Sequence, residues 1–181
     1  MPSTNSEEKL AGLGAALYEM QQFCNCVKWL TQPLDQTIVN ALIESMLIHV
    51  RVLLDFFEKR GVRKDEFDDV LSLHFGFPAE PVDLRPDYRL RINKEVAHLS
   101  YARAKRLTQK GKLWERAAFL PLVIRCIAFI DSRSEQEIRE LERFRAQHGM
   151  RPLSPVHLKP LLSDVRTMFE NDLAQQLAAG A

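Results

Sequence analysis

Arg91 and His98 stand seven residues apart in the stretch RINKEVAHLSYARAKR, residues 91–106. Seven residues almost complete two turns of 3.6, so on a helix the two side chains project within about 20° of each other. An imidazole titrating near neutrality can accept the proton of a ribose 2′-hydroxyl or donate one to a departing 5′-oxygen. A guanidinium can grip a phosphate through two parallel N–H donors and stabilise the charge that builds up there. Such a pair could cleave RNA without a metal, with His98 as acid–base and Arg91 as phosphate clamp. One imidazole cannot act as acid and base at once, so this chemistry predicts a homodimer whose two-fold axis brings two such faces together.

The element that must carry the pair is a helix from about 86 to 109, opened by Pro86 and stopped at Gly111. Leu90, Ile92, Val96, Ala97, Leu99, Tyr101, Ala104 and Leu107 form one arc of it, with Asn93 and Ser100 at the arc's middle. That arc is expected to be the packed side, and Arg91, Lys94, Glu95, His98, Lys105 and Arg106 fall opposite. Glu95 lies four residues after Arg91 and three before His98, so it can support either. Residues 85–116 hold ten Lys or Arg against three acids, a local +7 in a chain of net +1, which leaves −6 elsewhere. Clustered cations of this kind attract a polyanion and release its counterions, and Arg89, Lys94, Arg103, Lys105 and Arg106 are the expected RNA contacts. Two other readings of the same charges are a solvated face paired with acidic neighbours and a non-catalytic interaction module that meets an acidic protein partner.

The surrounding pattern is helical throughout, without the sustained alternation of a half-buried strand, and predicts an all-α protein. Helices are expected over 7–30, weakened at the start by Gly12 and Gly14, and over 34–60, ending at Gly61. In the second, Asn40, Glu44, Arg51, Asp55 and Glu58 form a narrow polar stripe on an otherwise apolar rod, as expected of a central helix with neighbours on several sides. A short helix near 64–73 and a proline-rich loop, HFGFPAEPVDLRP, lead to the helix bearing Arg91. A further helix over 113–147 should bend at Pro121, with an interruption near 132–134. The result is an antiparallel bundle of four long helices with short additions. Residues 1–148 read as the bundle domain, and 149–181 as a linker plus a last helix that docks on the bundle or on a second subunit.

Here the chain resembles the HEPN superfamily, the nucleotide- and RNA-associated helical domains. R-I-N-K-E-V-A-H matches that family's late-helix Arg, nearby polar residue and following His, and the order of elements is similar over about 35–145. The family's polar residue usually follows the Arg directly, whereas Ile92 does so here and Asn93 comes second. The resemblance implies RNA or nucleotide binding and, in many members, metal-independent endoribonuclease activity in homodimers that serve as toxins or in phage defence. It also implies an antitoxin-like protein partner where the member is part of a toxin pair.

The remaining candidates are weaker. Glu95-Val96-Ala97-His98 has the E-x-x-H spacing of di-iron bundles, but no second copy accompanies it, so neither metal nor cofactor is expected. Cys24, Cys26 and Cys126 read as small buried hydrophobes. His49 is expected to be a core histidine satisfied by the Ser45 hydroxyl, and Arg51 and Asp55 to form an intrahelical pair beside Glu44 or to support Arg91 and His98. No Gly-rich phosphate loop, nucleophile elbow or Cys–His pair is present. No run approaches 18 uninterrupted apolar residues and the opening MPSTNSEEKL lacks a secretory pattern, so a cytoplasmic protein without a membrane partner is expected.

Overall fold

A computed structural model describes residues 6–61, 69–93 and 115–179. Among them the chain forms six α-helices, two short 3-10 helices and no strand, so the all-α bundle is the fold. The helices are α1 (Ser6–Trp29), α2 (Gln36–Glu58), α3 (Pro86–Arg91), α4 (Leu120–Asp131), α5 (Glu135–Gln147) and α6 (Pro155–Ala179). The 3-10 helices cover Ser72–Phe75 and Arg116–Phe119.

α1, not α2, is the central rod: it packs on α2, α5, α6 and the first 3-10 turn. Its glycines explain how. A Cβ at Gly12 would lie 3.1 Å from Val70 Cγ1, and one at Gly14 would lie 3.1 Å from an Arg145 guanidinium nitrogen. The two residues expected to weaken α1 are ones against which neighbouring side chains pack closely. α2 buries Met46, Leu47, Val50, Leu53, Leu54, Phe56 and Phe57 but turns Ile38, Ile48 and Val52 outward. Apolar circumference alone therefore misplaced it, because only one side of α2 meets the core. By length and composition α2 is also apolar enough to cross a membrane, which the count of uninterrupted apolar residues had excluded.

The core is continuous from α1 through α6, and Phe129 of α4 is its aromatic hub. Its ring meets those of Phe56, Phe57, Phe75 and Phe77 edge-on, at centroid distances of 5.1, 6.0, 6.0 and 5.4 Å. Through these contacts the irregular chain at 71–85 is held on α2 and α4. Arg133, buried just past α4, donates to the Phe75 and Phe129 carbonyls and lies over the Phe129 ring. Arg125 similarly reaches the Pro78 carbonyl and Glu80.

Pro121 does not bend a long helix: it sits in the first turn of α4, where its missing N–H leaves no intrahelical bond unmade. The interruption at 132–134 is present, and Ser134 then opens α5 with a reciprocal capping box to Glu137. Gly149, with φ of 63°, follows α5 in the left-handed conformation that favours glycine. The last helix begins at Pro155, earlier than the proline content of 149–160 suggested. Pro155 occupies its first turn, and the bond that Pro160 cannot make is offset by burial of Leu158 and Leu162. With Val165 and Phe169 these residues dock α6 on the bundle of its own chain.

All three cysteines are buried, as expected of small apolar residues. Burial pushes the Cys24 thiol up to about 12 and that of Cys126 well above its ordinary value. Thiol reagents at about pH 8 should leave all three unmodified in the native protein and label all three in denaturant, as mass spectrometry would show. Phe129→Ala should lower stability by about 3–5 kcal/mol, read from urea unfolding.

Candidate functional site

The described part of the site is the anchorage of α3, and it is built on Tyr88. Pro86 opens this helix, and Asp87 in its first turn is paired with Arg85 at 3.1 Å, which holds the Asp87 carboxyl below its usual range. Tyr88 is buried edge-on against Phe119 at 5.8 Å, and burial raises its phenol. Its oxygen accepts a hydrogen bond from the Glu115 backbone N–H at 2.9 Å. Arg85 lies over the same ring at 4.6 Å and pairs with Glu115 at 3.2 Å. The start of α3 and the chain at 115 are thus fastened to one another.

This anchor sets the phase of α3 and reverses part of the expected pattern. Tyr88, Arg91 and Ile92 are buried, at the i, i+3 and i+4 spacing of one helical face. Leu90 is 52 % exposed and Asn93 is exposed, although both were expected on the packed arc. Arg91, expected on the open arc, is only 9 % exposed and lies over the Tyr88 ring at 5.4 Å. The large aromatic ring, with a hydrogen bond to satisfy its hydroxyl, outweighs a single leucine in deciding which side faces inward.

Arg89, an expected RNA contact, is engaged within the fold. Its guanidinium grips Glu58 at the end of α2 with two bonds of 2.8 and 2.6 Å and also donates to the Val82 carbonyl. Glu58 Oε1 in turn accepts from the Val82 N–H at 2.7 Å. The bond to Glu58 is the main reason that the Arg89 pKa is raised. Arg116 is likewise occupied, by Asp172 of α6 at 3.1 Å. The structure therefore brings Arg85, Arg89 and Arg116 to acidic partners and Arg91 to an aromatic ring.

His98, Glu95, Lys94, Arg103, Lys105 and Arg106 lie outside the described residues. Arg51 and Asp55 are exposed on α2, and Asp55 pairs with Lys59 at 3.4 Å, where an intrahelical pair with Arg51 was expected. His49 is not satisfied by the Ser45 hydroxyl as expected. Its Nδ1 is 2.6 Å from Glu19 Oε2 on α1, with Tyr18 edge-on, while Ser45 accepts from the Cys26 thiol. Glu19 also lines a cavity of about 340 Å³ with Val52, Asp55, Phe56, Lys59 and Asp69. A carboxylate–imidazole pair orients a proton acceptor, but among the described residues no hydroxyl or thiol lines this cavity to be activated. Among the described residues no group of three His, Cys, Asp or Glu is placed to hold a metal ion.

Sequence reasoning missed Tyr88, Glu58 and Glu115 as the residues that organise this region. The signal for Tyr88 was its position three before Arg91, and for Glu58 its place at the end of the α2 polar stripe. The Tyr88–Glu115 bond spans 27 residues and left no local trace.

Comparisons with protein-family models, curated proteins and solved structures find no match to this chain. The resemblance to HEPN domains thus rests on the motif residues and the expected order of elements in the sequence.

A double-mutant cycle checks the Glu58–Arg89 clamp. Glu58→Gln and Arg89→Met should each cost about 1–3 kcal/mol in denaturant unfolding. The double variant should fall short of their sum by about 1 kcal/mol or more.

Proposed function

We propose that this protein is an HEPN-like RNA-binding protein whose contact surface is the segment 94–112. The observation that carries the reading is a partition of charge. Arg85, Arg89 and Arg116 are paired with Glu or Asp inside the fold, and Arg91 is buried on Tyr88. Residues 94–112 nevertheless contain six Lys or Arg and a single acid. Charges tied into the scaffold contribute little to capturing a polyanion, and a local +5 on one short stretch contributes strongly.

Burial of Arg91 favours binding over cleavage in this reading, because a phosphate clamp has to reach its ligand. Arg91 then holds the start of α3 against the core, and His98 serves as one contact among several. Endoribonuclease action in the manner of a toxin is the competing outcome, with His98 as acid–base and a second copy supplying the other imidazole.

Fluorescence anisotropy with single-stranded RNA tests both. Affinity should fall on the order of a hundredfold between about 50 and 200 mM salt, and Lys105→Ala with Arg106→Ala should flatten the log–log slope by about 1.4. Binding that survives His98→Ala, with no product in EDTA, supports the proposal. Product formed in EDTA and lost in His98→Ala makes the protein a nuclease instead. Absence of RNA affinity at low salt removes both readings and leaves a helical module for an acidic protein partner.

A further inference from the structure

We infer that the end of the bundle where α1 turns into α2 is a membrane-docking tip that seats shallowly on a zwitterionic lipid surface. Glu19 meets His49 and Cys26 meets Ser45, so α1 and α2 run antiparallel and Trp29, Leu34 and Ile38 share one end of the molecule. No residue of α2 before Met46 is buried. By composition α2 is apolar enough to cross a membrane, yet only 28 % of that apolar stretch is buried in the fold. A core helix of this composition would be mostly enclosed. Ile38 is 49 % exposed, and Trp29, the last residue of α1, is 58 % exposed. An indole has an apolar body and one polar edge, which suits the boundary between lipid and water.

What selects lipid as the occupant is how the tip disposes of its polar groups. From Trp29 to Ile43 the one charged residue is Asp35, which caps α2 by accepting the Thr37 N–H at 2.8 Å. Thr31 donates to the Lys28 carbonyl at 2.7 Å, Gln32 donates to Thr31 at 3.3 Å, and Gln36 donates to Asn40 at 2.9 Å. Polar side chains that bond within the tip cost less to desolvate and leave a protein partner few groups to pair with. Lys28, next to Trp29, lies 3.8 Å from Asp164, so the border of the tip offers no surplus cation to RNA or to an anionic bilayer. The charge of the tip therefore matches a zwitterionic surface. Seating is shallow because Met46 to Phe57 hold the rest of α2 in the core, and the uncharged run along α2 ends at Glu44, about 12 Å from Gln36. Interfacial segments bury about 5–10 Å of their depth, within that length.

The inference goes beyond the RNA reading and departs from the expectation of no membrane partner, and since RNA plays no part in its test, either can fail alone. The full chain mixed with phosphatidylcholine vesicles should float with them in a density gradient. Binding should hold from about 50 to 500 mM salt, because no ion pair drives it, and phosphatidylserine in the vesicles should not strengthen it. Ile38→Asp should lower the partition coefficient about tenfold or more with an unchanged circular dichroism spectrum. Trp29→Ala, which leaves α2 intact, should act in the same direction. Ile124→Asp, at a residue of α4 that is 46 % exposed, should leave binding unchanged.

Tryptophan quenching by phosphatidylcholine brominated on its acyl chains gives an independent readout of which residue enters the lipid. The chain has two tryptophans, Trp29 and Trp114. Quenching should be strong in the wild type and lost in Trp29→Phe, where Trp114 is the remaining indole. Failure to float, quenching that persists in Trp29→Phe, equal losses from Ile124→Asp and Ile38→Asp, or binding abolished by salt would each overturn the proposal. So would a blue shift of Trp29 emission that follows protein concentration in the absence of vesicles, since another protein chain would then cover the tip.

Discussion

The edge-on packing of four phenylalanine rings around Phe129 is the constraint on which the rest of the molecule depends. Phe56 and Phe57 come from α2, Phe75 from the first 3-10 turn and Phe77 from the irregular chain after it. Segments like 71–85 have few backbone bonds of their own and need side chains to hold them in place. Here the aromatic hub supplies the apolar half of that anchorage, and Arg125 and Arg133 supply the polar half by capping the Pro78 and Phe75 carbonyls. Only because this segment is fixed does α3 begin where it does.

A second layer of restraint acts through charge. Glu58 receives the Val82 N–H and the Arg89 guanidinium together, so the end of α2, the loop and α3 share one carboxylate. Such a clamp is stronger than an exposed ion pair because both oxygens are used and the groups are partly screened from water. Tyr88 does the same on the other side of α3, closing the chain at Glu115 onto it. The consequence for function is a division of labour among the arginines. Arg85, Arg89 and Arg116 are committed to holding the scaffold together, and the proposed RNA contact accordingly rests on the basic stretch between residues 94 and 112.

The α1–α2 hairpin shows the opposite imbalance. α1 is hemmed in on several sides and needs Gly12 and Gly14 where neighbours approach. α2 has one committed side and one that mixes Ile48 and Val52 with Glu44, Arg51 and Asp55.

By itself the sequence determined that the protein is helical, where α1 and α2 begin and end to within a few residues, that the chain breaks near 132–134, and that the cysteines are buried. These follow from periodicity, capping residues and proline positions, which act over a few residues of chain. It predicted Arg91 and His98 on one side of a helix, and of the two only Arg91 lies among the described residues. Tertiary structure alone decided that Arg91 turns inward on Tyr88, that Glu58 holds Arg89, that His49 meets Glu19 and that α1 occupies the centre. The physical reason is common to all four. Each depends on a partner 30 or more residues away or on a competition between two faces for one core, and neither leaves a mark on local spacing.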